Sequence, residues 1–207
     1  MKYLVKQSSK NSPQEYDRIF KERSKIGVDS QDLRRWKLLL KYFVGGNLID
    51  LGCLDSLVCP LALKKFPHSR LVGIDLASEA IKEMQKTYGP EITYKVGDVY
   101  HTKMKDNEFN YVVAGELIEH LERPEAFIQE AVRILKPSGV LALSTPNEEA
   151  IEPGAVDGHR HLWSFSVENI RDMLGKYGKV KIQILGSEFW PRYKYHFPSI
   201  LAFLTKE

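Results

Sequence analysis

The stretch "NLIDLGCLDSLVCPLALKKF", Asn47 to Phe66, decides the fold. Leu48, Ile49 and Leu51 make a short apolar run that ends at Gly52, the pattern of a buried strand running into a tight loop. "CPLALKKF" reads as the helix that follows, with Ser56 placed as its N-cap and Pro60 tolerated in its first turn. A strand, a tight loop and a helix often grip a nucleotide-like cofactor, because the loop amides and the helix N-terminus sit together. The dinucleotide pattern G-x-G-x-x-G would need glycines at 52, 54 and 57, but the chain has Gly52, Leu54 and Leu57. Pyrophosphate requires close backbone approach at the second of these positions, and Leu54 is expected to obstruct it. A cofactor with a nucleoside and an amino acid but no phosphate asks less of such a loop.

Outward from this unit, strands and helices alternate. "RLVGIDLA", "ITYKVGDV", "FNYVVAGEL" and "VLALSTPN" read as strands. "SEAIKEMQKTYG", Ser-capped and Gly-ended, "RPEAFIQEAVRILK" and "SVENIRDMLGKYG" read as helices. "KVKIQILGSE" and "SILAFLTK" have no helix between them, which predicts an antiparallel pair at one edge. The fold class is therefore α/β: a Rossmann-like, doubly wound, seven-stranded sheet, mainly parallel with an antiparallel edge hairpin and helices on both faces. Residues 1–46 hold two helical runs, "SPQEYDRIFKERSK" and "DSQDLRRWKLLLKYFVGG", and read as a helical cap on the sheet domain of residues 47–207.

In such sheets ligands bind beyond the carboxyl ends of the strands. Acids recur there: Asp50 by the first, Asp75 after the second, 23 residues past Gly52, and Asp98 after the third, 23 further on. Gly115, Glu116, Glu119 and His120 follow the fourth strand, and Thr145, Pro146 and Asn147 the fifth. An acid about 20 residues past the loop can accept from both ribose hydroxyls, and an acid after the third strand can accept from an adenine amine. Asp50 can meet an ammonium, and the loop amides a carboxylate.

These motifs, in this order, resemble those of the class I S-adenosylmethionine (SAM)-dependent methyltransferases over residues 47–207. "LIDLGCLDS" resembles the family's D-x-G-x-G-x-G loop, with Leu54 and Ser56 where two glycines would stand. "VGIDLA" and "GDV" resemble its ribose and adenine contacts, and "FNYVVAGELIEHLERPEAFIQEAVRILKPSGVLALSTPN" its later motifs. The resemblance implies SAM as cofactor, held by Asp50, Gly52, Cys53, Leu54, Ser56, Asp75, Leu76, Asp98, Val99 and Glu116, and a methyl group passed to a small-molecule acceptor. It also implies that a helix near the N-terminus, with Tyr16, closes over the cofactor, although helix packing explains Tyr16 equally well.

"GELIEHLE" and "DGHRHLWSFS" bring acids and histidines toward one place. Glu119, His120 and His161 are the catalytic candidates, with His120 or His161 as a general base toward a hydroxyl. The same E-x-x-E-H run also reads as a pocket wall. A third reading makes Glu116, Glu119, His120 and His161 ligands of a divalent metal, which resembles the RNA 2′-O-methyltransferases and makes RNA an alternative acceptor. His159 lies in the same loop as His161. Phe189, Trp190, Tyr193, Tyr195 and Phe197, with Arg192 and Lys194 among them, read as hairpin core or as a substrate wall. A SAM-binding regulator without catalysis is a further reading, motivated by the missing loop glycines.

Composition sets the remaining bounds. The 207 residues are 43% hydrophobic and 28% charged, as in a globular domain. Cys53 and Cys59 fit neither a disulfide framework nor a zinc site by spacing, and a cytoplasmic location without integral membrane association is expected. Net charge is +3, with 11 Lys/Arg against 5 Asp/Glu in residues 1–46. That basic segment is compatible with an anionic partner or with a solvated helical face.

Overall fold

In a computed structural model of the chain the described residues are 2–3, 12–25, 27–28, 30–147, 161–190 and 195–207. Two strands and two helices come first: β1 (Lys2–Tyr3), α1 (Pro13–Ser24), α2 (Ser30–Leu39) and β2 (Asn47–Leu51). Then follow α3 (Val58–Lys65), β3 (Arg70–Asp75), α4 (Ser78–Tyr88), β4 (Ile92–Val96) and β5 (Phe109–Gly115). A 3-10 turn (Ile118–His120), α5 (Pro124–Ile134), β6 (Leu135–Pro146), β7 (Trp163–Ser164), α6 (Val167–Gly175), β8 (Gly178–Trp190) and β9 (Tyr195–Lys206) complete the chain.

The main sheet has seven strands in the order β4-β3-β2-β5-β6-β9-β8. The first five run parallel, while β9 is antiparallel to both β6 and β8, giving the expected edge hairpin. Chain direction across the sheet reverses at β2, whose neighbours are β3 and β5. In doubly wound sheets the ligand crevice belongs beyond the C-terminal ends of the strands at such a reversal, here β2 and β5. One apolar cluster, with Phe127, Ile128 and Ala131 of α5 and Ile170 and Leu174 of α6, covers one face of the sheet. Another, with Trp36 and Leu39 of α2, Cys59 and Ala62 of α3 and Met84 of α4, covers the other. Both faces of the parallel strands are thus dry, which is why they read as nearly continuous apolar runs.

Three local details differ from the sequence reading. Ser56 is not the N-cap of α3: that position is Leu57, and the Ser56 hydroxyl instead accepts from the Val58 amide at 3.1 Å. Ser78 lies inside α4, whose N-cap Ala77 has no capping side chain. The cap comes from α1, where Asp17 accepts from the Glu79 amide at 2.9 Å and faces the Ser78 hydroxyl at 3.4 Å. Finally, β1 pairs antiparallel with β7, a small second sheet that two-residue strands do not announce in sequence. The expectations for His159, Arg192, Tyr193 and Lys194 lie outside the described residues, and for Phe189, Trp190, Tyr195 and Phe197 only the backbone is described.

Candidate active site at the ends of β2 and β5

The loop after β2 is shaped by two left-handed residues, Gly52 (φ 71°) and Leu54 (φ 36°). A Cβ on Gly52 would come within 2.7 Å of a Leu117 methyl, so glycine lets this loop touch the one after β5. Leu54 takes a backbone conformation that favours glycine, at a strain cost of about 1 to 2 kcal/mol for an L-residue. Across the crevice Glu116 is also left-handed (φ 50°). Strained non-glycine residues on both walls mark a place held by more than local preference.

The loop amides are engaged within the protein. Gly52 and Cys53 donate to the Ile74 carbonyl, Leu54 to Asp75 Oδ2 at 2.8 Å, and Ser56 to the Cys53 carbonyl. The expected cradle of amides for a carboxylate is therefore not presented by these residues. What the loop does offer is acid. Asp50 is 2% exposed, and its Oδ2 is buried without a hydrogen-bond partner among the described residues. Burial pushes its carboxyl up to about 7, against a Ser56 hydrogen bond that favours the ionised form. A buried orphan acceptor of this kind suits an ammonium, so the residues fit the amino-acid end of SAM.

Asp75 accepts from Leu54 and, through Oδ1, from the Ala77 amide at 2.8 Å. Burial raises its carboxyl above the ordinary value in spite of these amides. The Leu76 amide also favours its ionised form, and a carboxylate's four lone-pair sites still leave room for a ribose hydroxyl. Asp98 folds back on the Tyr100 amide at 2.8 Å and orders the turn after β4. Leu76 is half-buried, whereas the Val99 and Cys53 side chains are buried in the core, so only their backbone can meet a ligand. Burial also raises the Cys53 and Cys59 thiols well above their usual value, which makes them unreactive.

The opposite wall joins segments some 40 residues apart in sequence. Leu162 donates its amide to the Glu119 carbonyl at 2.7 Å, and the Trp163 indole to the Leu121 carbonyl at 2.8 Å. This stitching brings His161 edge-on to His120, with ring centres 4.8 Å apart. Glu119 is 1% exposed; its Oε2 accepts from the Thr145 hydroxyl at 3.0 Å, and Oε1 lies 3.8 Å from His120 Nε2. Burial first, and then the nearby Glu116 charge, push the Glu119 carboxyl upward, with His161 opposing. One ligand atom each from Glu119, His120 and His161 lies within 4.8 Å of the others. Glu116 stands outside that set, its Oε1 taking the Ser144 hydroxyl at 2.9 Å.

Sequence reading missed the ionic chain that ties the N-terminal helices to these walls. Arg23 bonds Asp55 of the β2 loop at 2.8 Å and Asp32 at 3.3 Å. Asp32 bonds Arg35 at 2.6 Å, and Arg35 comes within 3.9 Å of Glu116. The only signal was the polar pair Asp32 and Arg35 three residues apart on a helix that also carries the buried Trp36 and Leu39.

Residues 49–143 match the family model of the methyltransferase domain. The chain is 31% identical over 110 residues to a probable S-adenosylmethionine-dependent methyltransferase of Mycolicibacterium smegmatis, a match over 53% of this chain and 42% of that one. It is 36% identical over 115 residues to the mitochondrial ubiquinone biosynthesis O-methyltransferase of Rattus norvegicus, over 50% of this chain and 32% of that one. The chain thus spans less than half the length of these relatives. A chain from the complex between the Haloferax volcanii Trm112 methyltransferase activator and a methyltransferase shares the fold, with TM-score 0.75 at 16% identity over 93% of this chain and 98% of that one.

Proposed function

We propose that this chain, a member of the class I S-adenosylmethionine-dependent methyltransferase family, methylates a small molecule at a hydroxyl or amine, with residues 1–46 as a helical cap over residues 47–207. The observation that carries this reading is the pairing of two unlike walls. Buried acids at the C-terminal ends of β2 and β3, Asp50 and Asp75, lie on the same edge of the sheet as the Glu119–His120–His161 group that follows β5. When bound, SAM supplies an already activated methyl group on its sulfonium, so the chain's task is alignment and exclusion of water. Asp50 holds the ammonium, and Asp75 the ribose. Asp98, Leu76 and the backbone at Val99 border the base. His161 or His120 takes the proton from an acceptor hydroxyl, and Glu119 fixes the imidazole pair from beneath. Matched relatives named as O-methyltransferases support an oxygen acceptor, though they are longer proteins. Among the described residues no helix is long and apolar enough to cross a membrane.

The compactness of the Glu119–His120–His161 set favours a second reading, in which these three hold a divalent cation that orients the acceptor oxygen, RNA included. One experiment separates the two. Phenolic, amine and RNA acceptors are incubated with SAM, and release of S-adenosylhomocysteine (SAH) is followed for wild type and His161→Ala, with chelator or added manganese. The first reading expects turnover to fall by about 100-fold or more in the variant, with SAH affinity kept and no response to chelator. Chelator-sensitive turnover would favour the cation, and unchanged turnover in His161→Ala would end both roles for that residue.

A further inference from the structure

On the face covered by α2 and α3, toward the N-terminal ends of the parallel strands, two grooves share the wall made by Lys41. One, of about 460 Å³, lies between Lys41, Tyr42, Lys181 and Phe203. The other, of about 280 Å³, lies between Lys37, Lys41, Lys65 and Phe66. Among the described residues no acid lines either groove. Lys37, Lys41, Lys65 and Lys181 come from α2, the turn after it, α3 and β8, and are all exposed. Beside them, on the turn between α2 and β2, Val44 is 85% exposed.

The aromatic rings here are not open. Lys41 and Lys181 each stand 5.4 Å from the Tyr42 ring centre, and Lys65 stands 5.2 Å from that of Phe66. The edge of one ring also meets the next, Tyr42 against Phe203 at 4.9 Å and Phe43 against Phe66 at 5.2 Å. A surface that reads single-stranded nucleic acid offers free ring faces on which bases stack. This one offers ammonium groups over covered rings and a bare aliphatic tip. We propose that this face docks on an anionic lipid surface, with the four lysines against the headgroups and Val44 entering the headgroup layer. The candidate active site lies beyond the opposite, C-terminal ends of the strands, so docking leaves its crevice facing the water.

The test is flotation of the chain with vesicles of phosphatidylcholine containing phosphatidylserine, and with vesicles of phosphatidylcholine alone. Near an anionic bilayer each lysine is worth about fivefold in partitioning, so the double variant K41A/K181A is expected to lose about 25-fold. Binding should weaken with salt and be absent from phosphatidylcholine alone. Both lysines are exposed, and an unchanged melting temperature and SAH affinity would show that the variant is folded with its crevice intact. Equal flotation with the two vesicle types, or of variant and wild type, would overturn the proposal. So would salt-sensitive binding of an RNA oligonucleotide without binding to the anionic vesicles.

Discussion

At the scale of single residues, the buried carboxyl of Asp50 carries most of the meaning. Its folded value of about 7 stands above the ordinary carboxylate value, so the folded apo chain binds a proton that the unfolded chain has released. That contribution to stability is full below about pH 4, is lost as pH rises, and is gone by about pH 7, an effect on the order of 4 kcal/mol. Asp50→Asn cannot release that proton. Its apo form is expected to keep its melting temperature between pH 4 and pH 7 better than wild type, relative to acid (~4 and ~7 from the same linkage). Melting curves across that range measure it, and parallel curves for the two proteins would refute it. The sequence marked Asp50 by its place at a strand end, but not that its Oδ2 would be orphaned, because that depends on how tightly the loop folds over it. Leu54 is the converse case. The residue alone argues against a glycine-like turn, yet its φ of 36° keeps the turn, with its amide bonded to Asp75.

At the scale of elements, periodicity made the alternating strands and helices legible, and capping failed where the cap is not local. Ser78 looks like the N-cap of α4 because a serine precedes an apolar pattern, but the cap is Asp17, 62 residues before Glu79. No local rule finds such a partner. Helix α1 has no fully buried residue, though Tyr16, Ile19 and Phe20 are half-buried, and polar ties fix it to its neighbours: Asp17 to α4, and Arg23 to Asp55 and Asp32. Asp17→Ala is accordingly expected to cost about 1 kcal/mol, the usual worth of an N-cap, or a fall of about 2 to 4 °C in Tm. It should also weaken SAH binding, because α1 ties down the β2 loop through Arg23. Thermal unfolding and a binding titration of the variant check both parts, and an unchanged Tm would show that the contact carries no load. The wall with Glu119, His120 and His161 was partly legible for the same reason. E-x-x-E-H was visible, but its meeting with His161 depends on the Leu162 and Trp163 hydrogen bonds across the loop.

At the scale of the whole molecule, strand order turns a list of acids into a site. The sheet order β4-β3-β2-β5-β6-β9-β8 puts the reversal at β2 and sets side by side the C-terminal ends of β3, β2 and β5, where Asp75, Asp50 and Glu116 stand. Spacing of 23 residues between successive acids was readable because each strand-helix unit has nearly the same length. The edge hairpin was readable from the missing helix, whereas the β1–β7 pair and the ionic chain from Arg23 to Glu116 join distant segments without a local pattern. The molecule is also polar from end to end, with acids and histidines at the C-terminal strand ends and lysine-lined grooves toward the other. In the function proposed, Asp50, buried beneath the β2 loop, holds SAM where β2 and β5 meet. Calorimetric titration of wild type and Asp50→Asn with SAH, at a pH where Asp50 is ionised, decides this. The expected result is one site per chain in wild type, with affinity lower by about tenfold or more in the variant, the usual worth of a hydrogen bond to a charged group. No binding heat in wild type, or the same affinity in both proteins, would contradict it.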